Sequence, residues 1–172
     1  HLVGASCSGS CEKRLRMPEE GEVVTVLHFN DCYNVEEQHG EPIGGATRFC
    51  TALKSFAHLN PLILFSGDVL APSIMSTFTK GEQMVPVLNC CKVDCAVYGN
   101  HDFDFGVDNL TEFAKQTKFP WLMSNVIDNE TGRLLADGEE FQILERSGKK
   151  VCHLLYPFSC PHNLSKKIFF IT

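Results

Sequence analysis

The 172-residue sequence lacks any apolar run near the roughly 18 residues that a membrane-spanning helix requires. It also lacks a basic excess. Fifteen Lys and Arg stand against 21 Asp and Glu, for a formal net charge of −6, so neither nucleic acid nor an anionic membrane is expected as a partner. No Gly-x-Gly-x-x-Gly follows the first apolar strand pattern, which argues against a dinucleotide-binding domain. No internal repeat or low-complexity tract is present. What is present is an ordinary apolar fraction, 44%, enough for a single domain with a real core.

Cysteine is the one residue type in surplus, at 9. Cys50 falls on an apolar helix stripe, and Cys90, Cys91 and Cys95 fall in or beside core patterns. All four read as buried free thiols. A disulfide framework is not expected in a chain with a core of this size. Cys7 and Cys11 have no second pair at zinc-ribbon spacing. His1 to Ala5 is too short for the apolar region of a signal peptide. These features lead us to expect a reducing, cytoplasmic setting.

Residues 1–21 have no apolar period and read as a flexible arm. Val23 to Phe29 is β-branched and apolar, a strand pattern that ends in Asn30-Asp31-Cys32-Tyr33-Asn34. His28 within it reads as a satisfied core or edge histidine. Gly44-Gly45 then opens a helix pattern from Ala46 to His58, with Phe49, Cys50, Leu53, Phe56 and Ala57 on one face. The paired glycines suit either a phosphate cradle or a close backbone approach. Pro61 to Phe65 is a second strand pattern, ending in Ser66-Gly67-Asp68. Helices are expected over Pro72 to Phe78 and Gly81 to Cys91. A third strand, Cys95 to Tyr98, runs into Gly99-Asn100-His101-Asp102-Phe103-Asp104. A helix over Val107 to Thr117 and a strand over Trp121 to Asn125 follow. Phe141 to Glu145 and Val151 to Leu155 flank Ser147-Gly148 as a β-hairpin. Residues 157–172 read as an irregular tail.

Strand and helix patterns in alternation imply a largely parallel sheet. Such a sheet gathers the C-terminal ends of its strands at one edge, where ligands bind. Three successive strand ends then bring Asp31, Asp68 and Asn100-His101 together. One acid at a strand end is ordinary, and Asp102, Asp104 or Asp108 could each simply cap the following helix. Three such ends in succession are harder to explain by capping. Oxygen-rich side chains of this kind suit hard or borderline divalent cations. Two such ions about 3.5–4 Å apart activate water and steady a phosphoryl group.

Asn30-Asp31, Gly67-Asp68 and Gly99-Asn100-His101-Asp102-Phe103-Asp104, in that order, resemble the first three motifs of the calcineurin-like metallophosphoesterases. Leu27-His28-Phe29, Gly44-Gly45, Phe65-Ser66 and Phe119-Pro120-Trp121-Leu122-Met123-Ser124-Asn125 resemble the 5′-nucleotidase branch. The likeness runs from Val23 to Lys150. It implies an α/β fold: an incomplete αββα metallophosphoesterase sandwich, with a mostly parallel sheet and flanking helices, over residues 22–156. It implies two divalent metal ions (Zn, Mn or Mg). Asp31 would ligate the first, Asp68 would bridge both and Asn100 would bind the second. His101 would stabilise the transition state and protonate the leaving oxygen, with Asp104 orienting it. The implied reaction is hydrolysis of a small-molecule phosphate ester, a nucleoside 5′-phosphate.

The sequence also departs from the family pattern. Tyr33 stands where the first motif usually has histidine, and a neutral phenol is a poor ligand. The later Gly-His and Gly-His-x-His motifs do not appear, and His153 and His162 sit in other contexts. No counterpart of the branch's C-terminal nucleoside-holding domain is expected within these 172 residues. The expectation is therefore the first half of a catalytic domain, with an apolar sheet face left open. A non-catalytic, metal- or partner-binding chain is the alternative to a phosphatase.

Overall fold

A computed structural model describes residues 23–155 and 166–171. The expected arm therefore lies outside the described residues, as do residues 156–165. The first strand, β1 (Val26–Phe29), is followed by helix α1 (Ala46–Ser55) and strand β2 (Leu62–Phe65). Helices α2 (Ile74–Thr79) and α3 (Met84–Cys91) lead to β3 (Cys95–Val97). Helix α4 (Val107–Gln116) leads to β4 (Trp121–Leu122). Strands β5 (Phe141–Arg146), β6 (Lys149–Leu155) and β7 (Lys166–Ile171) complete the described elements.

The first four strands form one parallel sheet in the order β1-β2-β3-β4, with Val26 paired to Leu62, Leu64 to Cys95 and Ala96 to Trp121. Neighbours in sequence are neighbours in the sheet, so every crossover passes over the same face. Ile63, Phe65, Ala96 and Trp121 point to that face, and pack with Cys50 and Leu53 of α1, Met84 and Leu88 of α3 and Leu110 and Phe113 of α4. The lone tryptophan is the hub. Tyr98 stacks on Trp121 with ring centroids 4.9 Å apart, while Phe65 and Phe113 meet it edge-on at 6.0 Å.

Some boundaries moved for local reasons. The first helix stops at Ser55 and tightens into a 3-10 turn, Ala57–Leu59, closed by Asn60 in the left-handed region. Pro86 explains why α3 begins at Met84 and not Gly81: its missing N–H is harmless only in the first helical turn. The hairpin forms as expected, with Ser147 and Gly148 both at positive φ, as the tight two-residue turn requires. Residues 166–171, assigned to an irregular tail, instead form β7 antiparallel to β6.

The second face of the parallel sheet also differs from expectation. Leu62, Leu64, Cys95, Val97 and Leu122 are all fully buried. Leu144 of β5 packs against this cluster, and Arg146 reaches Pro61 and Asp94 at the sheet's lower edge. Strand β5 thus packs, through Leu144, on a face that was expected to lie open. Among the described side chains of the hairpin, Phe141 and Ile143 leave apolar surface exposed on β5. No described helix is long and apolar enough to cross a membrane.

Candidate active site at the strand ends

The C-terminal ends of β1, β2 and β3 are tied together by backbone before any side chain is considered. Beyond β1, Asp31 N–H donates to Gly67 O at 3.1 Å and Cys32 N–H to Asp68 O at 3.0 Å. Gly67 and Gly99 let the second and third ends touch. A Cβ on Gly67 would meet Gly99 N at 2.3 Å, and one on Gly99 would meet Asp68 Oδ1 at 2.1 Å. Only glycine permits this approach. Asp31 and Asp68 both sit at positive φ, 56° and 67°, which turns each out of its strand into the edge.

Asp102 completes the junction. Its side chain is fully buried and accepts four backbone N–H groups. Asp68 and Gly99 donate to Oδ2 at 3.0 and 2.8 Å, and Val69 and Leu70 to Oδ1 at 2.7 and 3.3 Å. Burial pushes its carboxyl above the ordinary range, and the four amides pull against that push. Sequence reasoning had offered Asp102 as a helix cap. It is instead the tie between the β2 and β3 loops. Charged residues are seldom fully buried, so composition gave no sign of it.

The expected site residues occupy one edge. Asp68 Oδ1 accepts the His101 backbone N–H at 2.8 Å, which joins the β2 carboxylate directly to the β3 turn. His101 Nδ1 lies 2.9 Å from Asp104 Oδ2, with both side chains partly exposed, at 42% and 44%. This contact raises the imidazole's affinity for a proton above its usual value. Asn100 is exposed between them. Asp31 carries the amide of Asn30 on Oδ2 and the hydroxyl of Tyr33 on Oδ1, the latter at 2.8 Å.

Tyr33 is the departure that matters most. Partial burial and its bond to Asp31 push the phenol well above its ordinary pKa, so it remains a donor. Its ring stands edge-on to His101 at 6.2 Å. A neutral hydroxyl offered to Asp31 competes with any cation for that oxygen. Among the described residues, no three His, Cys, Asp or Glu side chains gather as a metal-holding group. The donor chemistry of Asp31, Asp68 and Asn100 is all oxygen and suits a hard divalent cation, but the count falls short of two fully ligated ions.

Two other sequence readings resolve here. Gly45, at φ 87°, caps α1 with its Cα against Glu37, and the Ala46 N–H is taken by Val35 O at 2.9 Å. Gly45 therefore serves close backbone approach, the second of the two roles the glycine pair suggested. His28 Nε2 pairs with Ser66 Oγ at 2.6 Å. The side chain of His153 lies outside the described residues.

Comparison with known proteins gives the family and the fold. The calcineurin-like phosphoesterase family profile matches residues 24–168. Human 5′-nucleotidase is 33% identical over 116 residues, covering 60% of this chain and 20% of that protein. A probable 5′-nucleotidase of Treponema pallidum is 28% identical over 141 residues, covering 74% of this chain and 24% of that protein. Among solved structures, the NAD nucleotidase of Haemophilus influenzae superposes with a TM-score of 0.67 at 25% identity, covering 76% of this chain and 26% of the other. The 5′-nucleotidase precursor of Thermus thermophilus shares the fold, with a TM-score of 0.66 at 20% identity over 87% of this chain and 32% of its own. The chain thus spans about a fifth to a quarter of the length of the curated relatives it matches.

Proposed function

Because the chain belongs to the calcineurin-like phosphoesterases, we propose that its strand-end edge serves metal-dependent hydrolysis of a phosphate monoester, with nucleoside 5′-phosphates as the substrate class. The observation that carries the proposal is the pairing of His101 with Asp104 beside the carboxylate of Asp68. The 5′-nucleotidases among the relatives support the substrate class.

Hydrolysis breaks the bond from phosphorus to the ester oxygen, and water supplies the new P–O bond. The departing alkoxide needs a proton. His101 is the donor: Asp104 occupies Nδ1, so Nε2 is the nitrogen left to face the leaving oxygen. Asp104 also keeps the imidazole protonated to higher pH than an isolated histidine. Asp31, Asp68 and Asn100 would hold a divalent ion, which when bound neutralises phosphoryl charge and acidifies a water. The Asp102 tie and the Gly67–Gly99 contact fix the distance between Asp68 and His101, so donor and carboxylate keep their relative positions without a ligand.

The test is phosphate release from AMP by the purified chain with Mn²⁺, Zn²⁺ or Mg²⁺. Metal-dependent release that is lost in His101→Ala supports the proposal. Release no greater than in a metal-free control refutes it for this polypeptide. The Tyr33–Asp31 bond favours a second reading, a chain that binds one cation without turnover. Calorimetric titration separates the two, since two tight ions per chain contradict the second reading.

A further inference from the structure

Away from the strand-end edge, the densest group of reactive side chains lies where α1 packs on α3. Cys50 and Lys54 stand one turn apart on α1. Cys90 and Cys91 end α3. Cys50 Sγ is 2.7 Å from Cys91 Sγ, inside the separation of two non-bonded sulfur atoms. Lys54 Nζ donates to Cys90 Sγ at 3.3 Å. Cys90 is the sequence neighbour of Cys91 and lies within electrostatic reach of Cys50. All three thiols are unpaired covalently; Cys90 is exposed, whereas Cys50 and Cys91 are buried. Sequence reading had placed Cys90 in the core, but it lies on the solvent side of α3.

We propose that Cys90 is a peroxide-sensitive thiol whose oxidation is relayed through Cys50 into a Cys50–Cys91 disulfide that bolts α1 to α3. The chemistry balances with a hydroperoxide as the only oxidant. The Cys90 thiolate attacks the peroxide's outer oxygen; the O–O bond breaks, and with one proton the products are a sulfenic acid and an alcohol or water. The Cys50 thiol then attacks the Cys90 sulfur, forming an S–S bond and releasing water. Cys91 attacks Cys50 of that disulfide, which transfers the bond to Cys50–Cys91 and returns Cys90 as a thiol.

Each thiol is suited to its step. The Lys54 ammonium holds the Cys90 thiol below its ordinary pKa, which supplies the nucleophile at the surface where peroxide arrives. Burial pushes the Cys91 thiol up, so it is a poor first target. The final bond is out of solvent, on atoms already in contact. This arrangement also distinguishes the group from a soft-metal site, since no three of these side chains form a metal-holding group among the described residues.

The full reduced chain, exposed to hydrogen peroxide and then alkylated, tests the relay by peptide mapping. A cross-link between the Cys50 peptide and the Cys90-Cys91 peptide, located at Cys91, is the expected product. Cys90→Ser, a surface change that leaves the fold intact, slows its formation at least about tenfold, and Lys54→Met slows it several-fold. In Cys91→Ser the cross-link stays at Cys50–Cys90. In Cys50→Ser, dimedone traps a sulfenic acid on Cys90. An undiminished rate in Cys90→Ser overturns the proposal, as does loss of the cross-link in Cys91→Ser. So does oxidation confined to Cys7, Cys11, Cys152 or Cys160.

Discussion

Replacing Asp102 with alanine removes the shared acceptor of four backbone amides: Asp68, Val69, Leu70 and Gly99. A buried donor left without a partner costs about 1–3 kcal/mol. The four costs do not add fully, because they share one acceptor and the Asp68 end lies near solvent. A loss of about 3–5 kcal/mol of folding stability follows. Urea denaturation followed by far-ultraviolet circular dichroism reads this directly. With a slope of about 2 kcal/mol per molar, the midpoint falls by roughly 2 M. Asp102→Asn should lose less than alanine but more than a surface change: its amide oxygen still accepts, while its NH₂ faces donors. Asp104→Ala is the control. It removes a partly exposed carboxylate from an exposed pair, and costs about 0–1 kcal/mol. Hydrogen exchange provides a local readout, since the Val69, Leu70 and Gly99 amides should lose protection first. If Asp102→Ala lowers stability no more than Asp104→Ala, or leaves those amides protected, Asp102 does not tie the loops together and the account of the edge is wrong.

Other perturbations follow from the same geometry. Gly99→Ala drives a methyl against Asp68 Oδ1, and should cost about 2–4 kcal/mol in the same urea assay while displacing the carboxylate. Tyr33→His replaces a hydroxyl donor with a nitrogen ligand, so calorimetry should show Mn²⁺ or Zn²⁺ affinity rising on the order of tenfold or more; no gain would show that Tyr33 is not what limits the site. The Cys90 thiol titrates below its ordinary value of 9.0, so its iodoacetamide reactivity should reach half-maximum at lower pH than that of an isolated thiol. The depressed thiolate adds stability above the unfolded pKa and loses it as pH falls through the folded one. Lys54→Met should move the reactivity midpoint back up. Peroxide treatment that forms the Cys50–Cys91 bond closes a loop of about 40 residues, and should raise the thermal midpoint by an amount equivalent to roughly 2–4 kcal/mol.

Much of this was legible because it rests on pattern. Continuous apolar strands between helical patterns imply a parallel sheet, and a parallel sheet fixes which loops share an edge. Asp31, Asp68, Asn100 and His101 could therefore be grouped before any coordinates. Other features depend on contacts between distant residues, which periodicity does not report. The burial of Asp102, the Gly67–Gly99 contact and the hydroxyl of Tyr33 on Asp31 are of this kind. The packing of β5 on the second sheet face is another case. Leu144 and Arg146 belong to a hairpin recognised in sequence, but nothing local says which surface a hairpin will lie against. Residues 166–171 carry no clear alternation, and their strand is set by pairing with β6.

The buried carboxylate of Asp102 also sets the polarity of the edge. Behind Asp68 lies a second acid, itself held by amides that point inward, with Asp31 and Asp104 on the open side. A phosphate dianion approaching this edge meets oxygen acids of its own sign. The Asp68, Val69, Leu70 and Gly99 amides are already spent on Asp102. On the proposed function, the edge would take up positive charge first, and an anion would follow once bound cations had reversed the local field. Occupancy should be ordered, with the affinity of a phosphate depending on how many cations have already arrived.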